Sequence, residues 1–536
     1  MTHDAEVIII GSGVAGALAA WKLSQANIKV IVLEAGPYFK DREKHAQKFR
    51  IAGASQGIDT PYQFHPEAPK PNANDTSNYY VQTGPEPFKG FYQRIVGGTT
   101  WHWMGICPRF LPEDFSLKKH FGVGVNWPLN YQQIEPYYGQ AENALGVSGD
   151  STFDAGSDRS TDYPNPPLKQ SYLDQVLSQN CDGLLYHDIP LKVSVAPQAK
   201  QPWCKGSGSC IPLCPTGAKY EANTHINLAK KHGAAIIAKA VVHRLDEHHG
   251  RIRSVRYLDW DGHEHKLTAK YFMLAANAIE TPKILLMSKS ARYPKGLANR
   301  SDMVGRNLMD HPLVISQCLS PVPVYGFRGP IATSSIESFR TGDFRKHFSS
   351  YRINIHNNGW ASPHVSPYAD FKNPVKEFKY GDELQQVLKD RIQRQILIDG
   401  AIEQLPNYRN RVSLSRHRSD KFGLPHPEIY YHFTEYEQKG LKDINLCFEA
   451  MFTKLQASEI LHIPEVLSSG HIMGTCKMGL SAWDSVVLPS GRTHEHKNLY
   501  ILGSSVFPTS GTANPTLTIA ALTLRTTESL IKILRN

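Results

Sequence analysis

The sequence predicts an α/β protein of two domains, with a doubly wound, parallel-sheet domain beginning at the N-terminus. Three observations lead to this prediction. A chain of 536 residues is too long for one ordinary hydrophobic core. Strand and helix patterns alternate at its start, which is typical of a parallel sheet covered by helices. Over residues 311–465 the pattern changes to mixed strands and longer helical segments, which indicates a separate unit.

Composition and charge exclude several classes of protein. The chain is 41% hydrophobic and 20% charged, which is typical of globular proteins and excludes bulk disorder. Its formal net charge of +10 comes from scattered Lys and Arg residues without a nucleic-acid motif, so we expect no nucleic-acid binding. No apolar run reaches the roughly 18 residues of a membrane span. No cleavable signal peptide is recognisable, so we expect a cytoplasmic chain or one exported already folded with a partner.

The first strand and helix carry a dinucleotide-binding pattern. Residues 7–10 are a continuous β-branched run, the sign of a strand buried on both faces. Gly11, Gly13 and Gly16 follow, and such glycines permit a tight turn, close approach of a pyrophosphate and close packing of helix on strand. A second strand ends at Glu34, an acid placed to accept hydrogen bonds from ribose hydroxyls. The pattern alone fits FAD or NAD, and its N-terminal position favours FAD.

Five further motifs give the chain a resemblance that runs nearly from end to end. They are residues 97–103, 274–286, 305–312, 470–475 and 498–518. In these motifs the chain resembles the glucose–methanol–choline (GMC) oxidoreductase family. Within that family it is most similar to the FAD flavoprotein subunits of bacterial membrane-bound sugar and sugar-acid dehydrogenases, of the glucose, fructose, gluconate and 2-ketogluconate types. The loop at residues 97–103 and a cysteine cluster carry this finer resemblance.

The resemblance implies a Rossmann-like FAD-binding domain of residues 1–310, completed by residues 466–536, with an iron–sulfur loop at about 200–220. A discontinuous, mixed α+β substrate-binding domain would occupy residues 311–465. The positions that the resemblance implies as further flavin contacts are Gly97, Gly98, Thr99, His102, Val242, Ala276, Gly503 and Thr516. In some relatives a histidine in this loop bonds covalently to the flavin. For His102 that bond and simple packing between the two flanking indoles are both open.

A histidine and an asparagine form the candidate catalytic pair. Alcohol oxidation by a flavin needs a base for the hydroxyl proton, and histidine suits this task because its pKa lies near neutrality. His471 matches the family's active-site histidine. Asn514 matches the partner position, but an amide cannot take a proton, so we expect it to hydrogen-bond the substrate oxygen. Asn514 is also predicted as a helix N-cap before Pro515, and His311 is predicted to be structural.

Three cysteines crowd into one loop rich in glycine and serine. Cys204, Cys210 and Cys214 could bind a cluster there, since small residues let backbone amides point at its sulfurs. A structural zinc site usually needs a fourth ligand, which the neighbouring sequence lacks, and three ordinary reduced thiols are the remaining alternative. The resemblance implies a 3Fe-4S cluster on these residues, although Lys205 stands where those relatives have another cysteine.

Together these patterns predict an FAD-dependent dehydrogenase that oxidises a CH–OH group of a small sugar, polyol or sugar acid. Electrons would pass through the cluster to a cytochrome or quinone-type acceptor. The resemblance implies two partners, a small subunit with the export signal and a cytochrome c subunit, which alone would hold the complex at the periplasmic face of the inner membrane. A soluble alcohol oxidase using oxygen, a non-redox FAD-containing lyase and a non-catalytic electron carrier remain alternatives.

Overall fold

The computed structural model describes residues 3–55, 60–73, 75–153, 155–357 and 374–536. The helices are α1 (Val14–Gln25), α2 (Arg42–Ser55), α3 (Leu117–Phe121), α4 (Tyr131–Leu145), α5 (Tyr172–Cys181), α6 (Asn223–Lys231), α7 (Asn277–Met287), α8 (Gly381–Arg394), α9 (Glu435–Leu455) and α10 (Thr516–Arg535). The strands are β1 (Ala5–Ile10), β2 (Val30–Glu34), β3 (Val81–Gln82), β4 (Leu185–Tyr186), β5 (Ile189–Pro190), β6 (Val193–Val195), β7 (Ala235–Ala238), β8 (Val241–His248), β9 (Arg251–Leu258), β10 (Glu264–Leu274), β11 (Pro312–Leu319), β12 (Ser334–Ile336), β13 (Tyr351–His356), β14 (Gln395–Ile402), β15 (Arg411–Ser419), β16 (Pro425–Tyr430), β17 (Ser458–His462), β18 (Leu467–Ser468) and β19 (Leu499–Ile501).

The first sheet has the predicted N-terminal strand at its centre. β1 pairs in parallel with β2 and β10, β7 extends the sheet beyond β2, and β19 pairs in parallel with β10. β8 and β9 add an antiparallel ribbon beside β10. Val7, Ile8 and Ile9 are fully buried, as expected for a strand with helices on both faces. The predicted Rossmann-like, doubly wound α/β domain is therefore confirmed.

The second sheet is antiparallel and has its own core. Its order is β17–β11–β14–β13–β12–β6, with β18 paired to β11. Ile353 and Ile355 of β13 are fully buried in a cluster with Ile444 and Phe448 of α9. Residues 193–195, which precede position 311, form its edge strand β6. One face of this sheet thus packs on α9 and leaves the other to line a cavity.

A buried ion pair between Arg345 and Asp114 joins the two units, and Glu403 of the second unit also pairs with this arginine. The Arg345 guanidinium lies 2.9 Å from Asp114 Oδ1 and 2.7 Å from Glu403 Oε1, and all three side chains are completely buried. Breaking a buried pair leaves an uncompensated charge and costs about 3–5 kcal/mol, so these contacts fix how the units meet. In the described part of the chain, no helix is long and apolar enough to cross a membrane.

Candidate active site

A cavity of about 380 Å³ lies where the two sheets face each other. Residues that follow β1, β10 and β19 line it on one side, and residues of β11, β13 and β14 line the other. Open α/β sheets bind their ligands at the carboxyl ends of parallel strands, which is where the first group lies. His471 and Asn514 both line this cavity, so the fold brings the candidate catalytic pair to that edge.

The N-terminal glycines fit a dinucleotide. A Cβ atom on Gly11, which has φ +101°, would lie 2.5 Å from Ala275 O, and one on Gly16 would lie 1.9 Å from Gly11 O. By contrast, a Cβ on Gly13 or on Gly503 would meet nothing within 4 Å and would enter open space. The backbone N–H groups at the start of α1 lack intrahelical acceptors, and such groups bind phosphate. These residues could therefore hold the pyrophosphate of FAD.

The loop at residues 97–103 closes over this site. Gly97 and Gly98 have left-handed backbones, with φ +97° and +57°, and a Cβ on Gly98 would lie 3.0 Å from Gly13 Cα. Thr99 lines the cavity and accepts the Gln93 N–H at 3.3 Å. The two glycine-rich segments, predicted separately from the sequence, are thus packed against each other.

The other predicted flavin contacts have different surroundings. Thr516 lines the cavity, Ala276 directly precedes α7, and Val242 is buried in the main core within β8. Glu34 is buried, and its carboxylate accepts the Ser12 N–H at 3.0 Å and the Ser12 hydroxyl at 2.6 Å. Burial raises the pKa of Glu34, against the effect of these donors. Its ribose contact stays a prediction.

His102 lines the cavity as a neutral imidazole. Lys70 donates to Gln93 Oε1, so the Gln93 amide nitrogen faces His102 Nδ1, 2.9 Å away. The neutral ring therefore carries its proton on Nε2. Burial, together with the nearby charges of Lys70 and Lys219, lowers the pKa of His102 to about 3. The ring packs against Phe91, with centroids 5.0 Å apart, rather than between the flanking indoles. A covalent flavin bond stays a prediction.

A chain of hydrogen bonds defines the protons of the candidate catalytic pair. Arg352 can only donate, and its Nη1 lies 2.8 Å from Asn514 Oδ1. The Asn514 Nδ2 group therefore faces His471 Nε2, 3.2 Å away, and His471 must accept there. On the other ring edge, His471 Nδ1 lies 2.8 Å from His311 Nδ1, and His311 Nε2 donates to Gly511 O at 2.9 Å. His471 thus carries its proton on Nδ1 and keeps a lone pair on Nε2.

Electrostatics keep both histidines neutral. Burial lowers the pKa of His471 well below its ordinary value, and His311 and Arg352 lower it further. Burial also lowers the pKa of His311 to about 4. Asp310 Oδ1 accepts the backbone N–H groups of His471 and His311 at 2.8 and 2.7 Å, and burial raises the pKa of Asp310 to about 6. The arrangement provides an unprotonated imidazole nitrogen beside an amide donor at the cavity wall.

His311, which was predicted to be structural, is the direct hydrogen-bond partner of the candidate base. One sequence expectation about this site is corrected. Asn514 is not the N-cap of the last helix. That helix begins at Thr516 with Pro515 at its N-cap, in a helical conformation, and no side chain caps it. Arg352 and His471 instead engage the Asn514 amide that would have capped the backbone.

Sequence reasoning missed Arg352 and its ion-pair partner. Arg352 lies in β13, and its guanidinium contacts Glu337 Oε1 at 2.5 Å. The only available signal was the alternation of polar and apolar residues along β13, which is equally typical of a strand with one face in water. Here both sets are buried, and the polar set faces the cavity.

The cysteine loop carries groups that suit a thiolate-bound cluster. Although burial acts to raise the pKa of the Cys214 thiol, N–H donors from Lys219 and Thr216 outweigh it and lower that pKa. Cys210 is also buried, and Cys204 is partly exposed. Among the described residues, the three thiols do not form a group close enough for a single metal ion, which argues against mononuclear zinc. A larger cluster and three ordinary reduced thiols are both compatible with this arrangement.

Comparisons with known proteins agree with this geometry. Two family models described as GMC oxidoreductase match residues 170–313 and 406–523, and a model of an NAD(P)-binding Rossmann-like domain matches residues 9–50. The chain is 34% identical to the fructose dehydrogenase large subunit of Gluconobacter japonicus, over 100% of this chain and 99% of that protein. It is 28% identical to the 2-methyl-1,2-propanediol dehydrogenase of Mycolicibacterium austroafricanum, over 97% and 94%. The solved pyridoxine 4-oxidase from Mesorbium loti has a similar fold, with a TM-score of 0.66 at 16% identity over 98% and 99% of the two chains.

Proposed function

Since the chain belongs to the GMC oxidoreductase family and is an FAD-dependent oxidoreductase acting on CH–OH donors, we propose that its substrate is a sugar, polyol or sugar acid. The relatives named above act, by their names, on a sugar and on a diol, which supports this class. The observation that carries the proposal is the orientation of the His471 imidazole, whose Nε2 lone pair lies beside the Asn514 amide in the cavity.

FAD, when bound, supplies the acceptor for the two electrons that leave the carbinol carbon. The substrate hydroxyl would donate its hydrogen bond to His471 Nε2 and accept one from Asn514 Nδ2. As the C–H bond of the carbinol carbon breaks, His471 Nε2 takes the hydroxyl proton. Its Nδ1–H stays hydrogen-bonded to His311. Asn514 steadies the charge that develops on the oxygen. Positioned general bases contribute about 10²–10⁴-fold to such rates.

We further propose that electrons leave one at a time through a 3Fe-4S cluster held by Cys204, Cys210 and Cys214. Support comes from the link between the cysteine loop and the loop at residues 97–103. Buried Lys219 donates from Nζ to Thr100 O and to Trp101 O, each at 2.8 Å. Cys214 receives backbone donors from the same segment. The thiols therefore lie close in the fold to the residues proposed to contact the flavin.

Partners and location follow from the same proposal. A cluster at this position would deliver electrons to a cytochrome c subunit. A small subunit with the export signal would hold the complex at the periplasmic face of the inner membrane. Trp203, next to Cys204, is 51% exposed, and Ile211, next to Cys210, is 40% exposed. Exposed apolar side chains beside redox ligands are consistent with a protein acceptor.

Anaerobic reduction of the bound flavin tests the proposal. Purified protein would be mixed without oxygen with a panel of sugars, polyols and sugar acids, and flavin bleaching followed at about 450 nm. We expect bleaching by at least one compound, together with protein-bound iron near three atoms per chain. Iron-free protein that makes hydrogen peroxide during turnover would support the oxidase alternative, and flavin that no alcohol bleaches would support the lyase.

A further inference from the structure

A continuous row of polar side chains crosses one wall of the cavity. Arg352, Asn354 and His356 alternate along β13 on the face toward the cavity, and Asp399 of β14 pairs opposite Asn354. Each contacts the next: Arg352 Nη1 lies 3.0 Å from Asn354 Oδ1, Asn354 Nδ2 lies 2.6 Å from Asp399 Oδ1, and Asp399 Oδ2 lies 2.6 Å from His356 Nε2. Through Arg352 the row is continuous with Asn514.

The rest of this wall is apolar. Leu313 and Ile315 of β11, with Leu397 and Ala401 of β14, line the same cavity. Burying polar side chains among apolar ones is costly unless their hydrogen bonds are satisfied. The four residues satisfy most of these requirements through one another, and none of them is needed to bind a dinucleotide at the glycine-lined edge. They therefore form a polar stripe on an apolar wall, which suits a ligand with polar groups.

His356 ends the row with an unused polar atom. It is 8% exposed, and its Nδ1 is buried without a hydrogen-bond partner among the described residues. The Asp399 carboxylate fixes Nε2 as the donor, so the neutral ring presents an acceptor at Nδ1. Ser469 lines the same cavity, and its Oγ is likewise buried and unpartnered in the described part of the chain. Two unsatisfied groups that line one cavity indicate hydroxyls on its occupant.

We propose that His356, oriented by Asp399 and Asn354, is a specificity-determining residue that binds a second hydroxyl of a polyhydroxylated substrate, away from the hydroxyl at His471. This proposal rests on the proposed function and adds to it the prediction that simple alcohols are poor substrates. A hydroxyl both donates and accepts, so it satisfies Nδ1 in either protonation state of the ring. A site built to hydrogen-bond a hydroxyl discriminates against an analogue that lacks it because its buried polar groups stay unpaired.

The test compares four-carbon alcohols that all have a CH₂OH group at C1 and differ in their further hydroxyls: erythritol, 1,2,4-butanetriol, 1,2-butanediol and 1-butanol. The readout is the second-order rate constant of anaerobic flavin reduction in the FAD-loaded protein. In the unaltered protein we expect this constant to rise at least about tenfold from 1-butanol to erythritol. In His356→Leu we expect the ratio of the rate constants for erythritol and 1-butanol to fall to near one. His356→Gln, which can donate to Asp399 and still present an oxygen, should restore part of the ratio.

His462→Gln is the matched control. His462 is also a histidine paired with a carboxylate, with Nε2 2.7 Å from Glu449 Oε1, but it lies in β17 outside the cavity lining. The His462→Gln variant should have the same erythritol to 1-butanol ratio as the unaltered protein. The proposal is overturned if the unaltered protein shows no preference along the series, or if His356→Leu keeps its preference while folded and FAD-loaded. Flavin bleached by some sugar in the panel would show that the proposed function survives such a failure.

Discussion

The two sides of the cavity form the site from different groups, backbone groups on one side and side chains on the other. On the side of the first sheet, glycines leave room and helix N–H groups provide the polar contacts, so the lining is mostly backbone. Toward the second sheet, the contacts run from side chain to side chain, from Arg352 of β13 through Asn514 and His471 to His311. A backbone site depends on local conformation, whereas a side-chain site depends on how distant segments pack. The two sides should therefore fail differently when they are altered.

Removing the imidazole of His471 should have the largest effect. We expect His471→Ala to slow anaerobic flavin reduction by about 10³-fold, since it removes the neutral base beside Asn514. FAD content should stay near that of the unaltered protein, because the glycine-lined side is untouched. Stopped-flow absorbance of the flavin measures the rate. Flavin reduction at the original rate would contradict the assignment of His471 as the catalytic base.

Adding one methyl group to the glycine-lined side should lower the stability of the fold. In Gly16→Ala the new Cβ would lie 1.9 Å from Gly11 O, so we expect a loss of more than about 3 kcal/mol in the free energy of unfolding, or no folded protein. Gly13→Ala is the matched control. Its φ of −66° suits any residue and its Cβ meets nothing within 4 Å, so the fold should persist while bound FAD falls. Urea unfolding and flavin content together measure both outcomes, and equal behaviour of the two variants would contradict the comparison.

Arg352 tests whether the side-chain network orients the catalytic pair. Replacing Arg352 alone would remove one of the two arginines, Arg352 and Arg340, that pair with buried Glu337, so the useful variant neutralises both members of the Arg352 pair: Arg352→Met with Glu337→Gln. We expect flavin reduction to slow by about 10–100-fold, because the Asn514 amide is free to rotate. Since Arg352 lowers the pKa of His471, its loss should also shift the acid limb of the pH–rate profile upward. A slower rate with an unshifted profile would indicate a purely structural role.

Asp310 should give the smallest effect, on stability rather than rate. Burial raises the pKa of this carboxyl from its ordinary 3.8 to about 6, so its contribution to stability is fully present below about pH 4 and is lost as the pH rises through 6. Asp310→Asn mimics the protonated form. The variant should therefore gain about 1–2 kcal/mol over the unaltered protein at pH 8, and less at pH 5. Unfolding free energies at both pH values measure this, and a gain that grows toward low pH would contradict the assignment.

The backbone side of the site could be predicted from sequence, because its information is local. Gly11, Gly13 and Gly16 lie within six positions of one strand and one helix, and the structure places Gly13 in the cavity lining as that pattern predicts. The parallel sheet and the family were likewise evident from short motifs. His471 and Asn514 were identified through the family resemblance, not through any property of their own surroundings.

The side-chain network could not be predicted, because its members meet only through the packing of the two sheets. His311 and His471 are 160 positions apart, and Arg352 and Asn514 are 162 apart. Nothing in the order Arg-Ile-Asn-Ile-His distinguishes a strand facing water from one facing a cavity. The helix begins at Thr516, one residue after its predicted first position at Pro515, and the Asn514 amide predicted to cap it bonds to Arg352 instead.

The last helix also constrains when the protein can acquire its cofactor. Gly13 and Thr516 line one cavity but lie roughly 500 positions apart, which at 5–20 residues per second is about 25–100 s of ribosomal synthesis. Early in that interval β1, which ends up almost completely buried, can pair with β2 but not yet with β10. The complete cavity therefore requires Thr516 to have been synthesised, so a fully formed flavin site comes late in the making of this chain.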